Sequence, residues 1–158
     1  MTPVRLVGIA AVVAALCGTL AVVTTLGAPI ALLGVVLVAL GVVRSVGRVV
    51  TVGAVTLAVA VLIAGTPGHD GLALLIATAA LILAWDFGHY AVALDHGLTA
   101  DAHTRSVELV RVAGGTLVGA ATVGVLSVVT AAVAVPPVDT LTAGLLFGGS
   151  VLAIYGMT

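Results

Sequence analysis

Long apolar runs, separated only by short polar segments, dominate this sequence. A helix needs roughly 20 mostly apolar residues to cross the hydrocarbon core of a bilayer. Six runs come close to or exceed this length: residues 4–26, 29–46, 48–65, 71–94, 105–135 and 139–157. Gly and Pro, which are typical of helix ends and helix starts, separate several of them. The pattern predicts an all-α transmembrane bundle of six helices, forming a single integral membrane domain over residues 1–158.

The alternative is five helices, with residues 29–64 forming one long bent element or with a re-entrant third segment. Arg44 and Arg48 lie in the middle of that stretch, and charged side chains are costly inside a membrane span. We therefore favour six. The first run is also longer than the core of a usual signal peptide, so we expect it to stay as an uncleaved helix.

The composition excludes several classes of protein. Hydrophobic residues make up 62% of the chain and charged residues only 7%, whereas soluble domains carry about 25% charged residues. A soluble domain could not hide this much apolar side chain. The net charge of −1 leaves no basic surface for nucleic acid. Cys17, the single cysteine, excludes an intrachain disulfide.

The arginines predict the orientation of the helices. With six helices and an inner N-terminus, the inner segments hold every arginine of the chain: Arg5, Arg44, Arg48, Arg105 and Arg111. Cytoplasmic loops collect Arg and Lys. We therefore expect both termini to be cytoplasmic, in a multi-pass protein of the plasma membrane.

The polar chemistry is concentrated on the predicted hairpin of the fourth and fifth helices. Its candidate site residues are Asp86, His89, Tyr90, Arg105, Glu108 and Arg111. Asp86, His89 and Tyr90 share one face of a helix through i, i+3 and i+4 spacing. When the hairpin is folded about residues 98–99, Asp86 becomes level with Arg111 or Val112, and His89 and Tyr90 become level with Glu108. We expect these residues to form a polar cluster within the membrane.

Three interpretations of this cluster stay open. The first is a structural clamp between helices, with interfacial anchoring by aromatic and arginine side chains. The second is a proton or ion pathway that uses Asp86, His89 and Glu108, because ionisable residues inside membranes often mark such routes. The third is a docking platform for a partner, with the loop after the fourth helix as its exposed edge.

Small residues predict how the last helices pack. Gly115 and Gly119 repeat at a spacing of four in the fifth run, and Gly144 and Gly148 do so in the sixth. Such spacing lets helix backbones approach closely, so we expect these two helices to contact each other. Another contact face is indicated by Gly34 and Gly41.

Signatures of catalysis and of cofactors are not found. The sequence has no P-loop, no H-E-x-x-H and no C-x-x-C motif. Its serines lack a partner set for nucleophilic catalysis. His89, His96 and His103 recur every seven residues, but Gly97 indicates a helix end among them. We expect no enzyme activity, no metal and no other cofactor.

One segment resembles a known family. It contains Ala84-Trp85-Asp86, a short loop, and then Thr104-Arg105 followed by Glu108. This arrangement resembles a family of small haloarchaeal multi-pass membrane proteins of unknown function. The resemblance implies an archaeal plasma membrane and an accessory role beside AAA+ ATPase and transglutaminase-like neighbours. It carries over no catalytic residue.

The sequence thus predicts a non-enzymatic scaffold or accessory subunit of a membrane complex. The expected partners are the lipid bilayer and either a second copy of the chain or another membrane protein. The alternative is a small transporter or a proton-coupled channel subunit.

Overall fold

The fold is helical throughout the part of the chain that the computed structural model describes, which comprises residues 6–23, 27–65, 71–97 and 104–132. The helices in these ranges are α1 Leu6–Ala21, α2 Ala28–Val43, α3 Gly47–Ala64, α4 Gly71–Gly97 and α5 Thr104–Ala132. The all-α prediction is confirmed for these ranges. The predicted sixth helix, 139–157, lies outside the described residues.

Three of these helices, α3, α4 and α5, are long and apolar enough to cross a membrane. The two others, α1 and α2, have 16 residues each, or about 24 Å at 1.5 Å per residue. Both are shorter than the predicted runs. The run after α1 contains consecutive β-branched residues at 22–25, which disfavour a helix. The chain reverses after α2 at Ser45, whose φ is 53°.

The first four helices pack side by side, each antiparallel to the next. The most extensive contacts join α2 to α3 and α1 to α4. Small and medium-sized apolar side chains fill the space between them, and Phe87 on α4 is the largest side chain that is fully buried. The last described helix, α5, lies on the outside of this bundle and contacts α4 and α1.

Glycines bring α2 and α3 together at backbone distance. A Cβ atom on Gly41 would lie 2.6 Å from the backbone nitrogen of Val50, and one on Gly53 would lie 2.7 Å from that of Val38. Gly34 faces Leu57 in the same interface. The contact face predicted from Gly34 and Gly41 is therefore occupied by α3.

The paired glycines of α5 face a different helix from the predicted one. A Cβ on Gly115 would lie 2.8 Å from Cε1 of Phe87, and one on Gly119 would lie 3.0 Å from Cδ1 of Leu83. Both neighbours belong to α4. The glycine face of α5 is therefore packed against α4, whereas the spacing predicted the sixth helix at this face. The partner glycines of that prediction, Gly144 and Gly148, lie outside the described residues.

Candidate functional site

All charged residues of the described ranges lie toward one end of the bundle. This end, which we call the polar end, comprises the start of α1, the turn between α2 and α3, the C-terminal half of α4 and the start of α5. Contacts across the bundle support the arrangement, because Gly8 of α1 faces Val42 and Ala91, and Gly47 faces His89. The charged residues are Arg44, Arg48, Asp86, Asp95, Arg105, Glu108 and Arg111.

An ion pair joins α4 to α5. The Nη2 atom of Arg111 donates to both carboxylate oxygens of Asp86, at 2.7 and 2.9 Å. The Cζ atom of Arg111 also lies 5.1 Å from the centroid of the Tyr90 ring, within the distance at which a cation and an aromatic face attract. The side chains of Arg111 and Asp86 are 46% and 40% exposed. The pair therefore lies on the outer surface of the hairpin and not in the interior of the bundle.

A buried carboxylate joins α5 to α1. Glu108 is only 6% exposed, and its Oε2 atom accepts a hydrogen bond of 3.1 Å from the backbone N–H of Leu6. Leu6 is the first residue of α1, where backbone N–H groups have no partner within the helix and the helix dipole favours a negative charge. Glu108 thus caps α1 from another helix.

The third tie joins α4 to α3 through His89. Its Nδ1 atom lies 3.0 Å from the carbonyl oxygen of Trp85, and its Nε2 atom lies 3.1 Å from the hydroxyl of Thr51. A carbonyl oxygen only accepts, so Nδ1 carries a proton. In the neutral imidazole, Nε2 is then an acceptor, and it shares the single hydroxyl proton of Thr51 with the carbonyl oxygen of Gly47, which lies 3.2 Å from that hydroxyl.

A fourth tie joins the α2–α3 turn to the end of α4. The Ser45 hydroxyl donates to the Asp95 carboxylate. Ser45 is held in the left-handed region, and the backbone N–H of Val46 closes the turn by donating to Gly41. This tie fixes the turn between α2 and α3 against α4.

The predicted cluster is therefore distributed over separate contacts. Asp86 and Arg111 come together as the hairpin register predicts, whereas Tyr90 lies beside Arg111 and not beside Glu108. Glu108 binds the start of α1 and His89 binds Thr51, where the sequence predicts a contact between Glu108 and His89 or Tyr90. Arg105 lies in the first turn of α5, and its side chain is outside the described part.

Sequence reasoning missed two polar partners, Thr51 and Ser45. A single Thr or Ser inside an apolar run is common and carries little signal. The available clue was position, because both residues lie within three residues of Arg44 or Arg48 and therefore at the same end of the bundle.

The interior cavity found among the described residues is small and almost entirely apolar. A cavity of about 10 Å³ lies in the opposite half of the bundle, among side chains that are apolar except for Thr19. This volume suits about one water molecule, and Thr19 already donates to the carbonyl oxygen of Ala15. Among the described residues, no three His, Cys, Asp or Glu side chains come together as a metal site would require. His103 lies outside these residues.

Comparison with known proteins gives a family but no activity. The model of a family of unknown function, DUF7519, matches residues 1–154. No curated protein and no solved structure matches the chain.

Proposed function

Because this chain belongs to the DUF7519 family, whose function is unknown, we propose a role from the geometry of the polar end. The protein acts as a non-enzymatic integral membrane scaffold or as an accessory subunit of a membrane complex. Its helices provide a framework in the bilayer, and its polar residues hold that framework together. Its partner is another membrane protein or a second copy of the chain.

The proposal is supported by the bonds that the described carboxylates make to other parts of the bundle. Asp86 binds Arg111, Asp95 binds Ser45, and Glu108 binds the backbone of Leu6. Each contact joins two different helices, or a helix and a turn. Because a buried carboxylate that accepts hydrogen bonds from a neighbouring helix stabilises the assembly of the helices, this pattern favours a structural use of the charges.

We further propose the topology in which this framework lies. Six helices cross the plasma membrane, with residues 139–157 as the sixth, and both termini are cytoplasmic. The position of all five arginines on one side of this topology supports it. The similarity of residues 84–108 to small haloarchaeal membrane proteins supports an archaeal, halophilic source. Reporter fusions after residue 158 and within residues 66–70 test the orientation, and they should report opposite sides of the membrane.

Transport is the weaker candidate. A proton route would need Asp86, His89 and Glu108 to face one another or a shared cavity. In the described residues Asp86 lies on the outer surface, whereas His89 binds α3 and Glu108 binds α1. Transport stays an alternative because Asp86, His89 and Glu108 lie at nearly the same height in the bundle, within about one helical turn of one another.

One experiment separates the two roles. The full chain is crosslinked in native membranes, and the same preparation is reconstituted in liposomes to measure proton and ion flux. The accessory role predicts a stoichiometric crosslinked partner and no flux. A flux that Asp86→Asn abolishes while helix content stays unchanged would favour transport and overturn the accessory role. Asp95→Asn is the matched control, because it changes a carboxylate at the end of α4.

A further inference from the structure

Two arginines of the polar end have no partner among the residues that the structure describes. Arg44 and Arg48 flank the turn between α2 and α3, and both are exposed. Neither guanidinium makes a hydrogen bond or an ion pair with any described residue. This contrasts with Arg111, which is held by Asp86.

None of the three acids of the described ranges contacts either arginine. They are bound to Arg111, to Ser45 and to the start of α1. Asp95 keeps its negative charge in the contact with Ser45, so Arg44 and Arg48 still leave a net positive charge at the turn. An anion from outside the described bundle is the natural partner for these two side chains.

The height of the turn indicates where that anion comes from. Gly47, next to Arg48, faces His89 and Val92 of α4. Ser45, between the two arginines, is bound to Asp95, which lies only two residues before α4 ends at Gly97. The two arginines thus lie where α2 ends and α3 begins, level with the last residues of α4. In a bilayer this is the level of the lipid phosphates.

We propose that Arg44 and Arg48 together bind the headgroup phosphate of an anionic phospholipid. Guanidinium groups present several N–H donors in a plane and match phosphate geometry closely. The tie from Ser45 to Asp95 fixes the turn that carries both arginines, so the backbone at this site is already ordered before binding. Lipid phosphates are already at this level, which favours a lipid headgroup over an anion from another partner. The inference requires the helices to lie in a bilayer but does not rest on the accessory role.

Native mass spectrometry of the full chain in detergent tests the proposal. Phosphatidylglycerol or phosphatidylcholine is added, and bound lipid is counted for the parent protein, for Arg44→Gln/Arg48→Gln and for Arg44→Lys/Arg48→Lys. An arginine near an anionic surface contributes about fivefold in affinity, so the double Gln variant should bind phosphatidylglycerol about thirtyfold more weakly. The double Lys variant keeps both charges but lacks the planar donors of guanidinium, so its binding should lie between that of the parent protein and that of the double Gln variant. Circular dichroism checks that the variants keep their helix content.

Three results would overturn the proposal. The first is equal binding of the two lipids by the parent protein. The second is unchanged phosphatidylglycerol binding by the double Gln variant. The third is displacement of the lipid by millimolar inorganic phosphate, which would assign the arginines to a soluble anion. If the double Gln variant loses helix content, salt titration of the parent protein replaces it, and binding that does not weaken with salt would contradict the proposal.

Discussion

The close approach of α2 and α3 predicts that Gly53→Ala destabilises the bundle. A Cβ atom at this position would lie 2.7 Å from the backbone nitrogen of Val38, 2.8 Å from its Cγ2 atom and 3.0 Å from the carbonyl oxygen of Gly34. Ordinary van der Waals contacts begin at 3.4 Å. Because two of the three neighbours are backbone atoms, no rotamer change relieves the overlap, and the helices must move apart.

The size of the effect follows from two opposing terms. Overpacking of a tight interface costs about 1–3 kcal/mol, and replacing Gly by Ala inside a helix gains up to about 1 kcal/mol. Gly114→Ala is the matched control, since Gly114 also lies inside a helix and nothing lies within 4 Å of its added Cβ. The helix term cancels between the two variants. We therefore expect Gly53→Ala to have a free energy of unfolding about 1–3 kcal/mol below that of Gly114→Ala.

Unfolding in mixed micelles measures this difference. The mole fraction of dodecyl sulfate is raised, and the loss of structure is followed by circular dichroism and by the fluorescence of Trp85, the only tryptophan. Trp85 lies on α4 and packs against the core, so it reports on the bundle. If the two variants unfold within about 0.5 kcal/mol of each other, which is the usual range for substitutions that touch nothing critical, then α2 and α3 do not pack at the distance described.

The same assay tests three further contacts. In a double-mutant cycle with Asp86→Asn and Arg111→Gln, we expect a coupling of about 0.5–1 kcal/mol because the pair is partly exposed; zero coupling would mean that the two side chains do not interact. Glu108→Ala should cost about 1–2 kcal/mol and speed hydrogen exchange in the first turn of α1, and Glu108→Gln, which keeps an acceptor for Leu6, should cost less. The free energy of unfolding of Ser45→Gly should be about 1 kcal/mol above that of Ser45→Ala. Both variants lack the hydroxyl, but only Ala has a Cβ atom, which is strained in the left-handed region. Equal free energies of unfolding would contradict the positive φ of residue 45.

One contact within the hairpin could be predicted from the sequence. Folding the chain about residues 98–99 makes Asp86 level with Arg111 or Val112, and the structure places the charged atoms of Asp86 and Arg111 2.7 Å apart. The predicted contact of Glu108 with His89 or Tyr90 is not made, because Glu108 binds Leu6 and His89 binds Thr51. Two helices that are close in sequence can pair in only a few registers. Helical periodicity and loop position are then sufficient to identify which side chains meet.

Contacts between helices distant in sequence could not be predicted in this way. Glu108 meets Leu6 across 102 residues, and no periodic pattern indicates that α1 lies beside α5. The same limit explains Gly115 and Gly119. Their spacing identifies a face for close packing, but it does not identify α4 as the helix that occupies it. The ends of α1 and α2 were also missed, because apolar composition continues past them.

Insertion in a bilayer, as proposed above, would explain why the few residues that are not large and apolar specify this fold. Lipid tails are as apolar as Leu and Val, so apolar side chains gain little by contacting another helix instead of lipid. Two features of the described bundle make contact with one particular helix more favourable than contact with lipid. Glycines such as Gly41 and Gly53 allow α2 and α3 to approach more closely than lipid can, which adds dispersion contacts. Polar ties such as that of Glu108 satisfy groups that lipid would leave without a partner. Substitutions at these positions should therefore change the stability of the bundle far more than exchanges among its exposed valines.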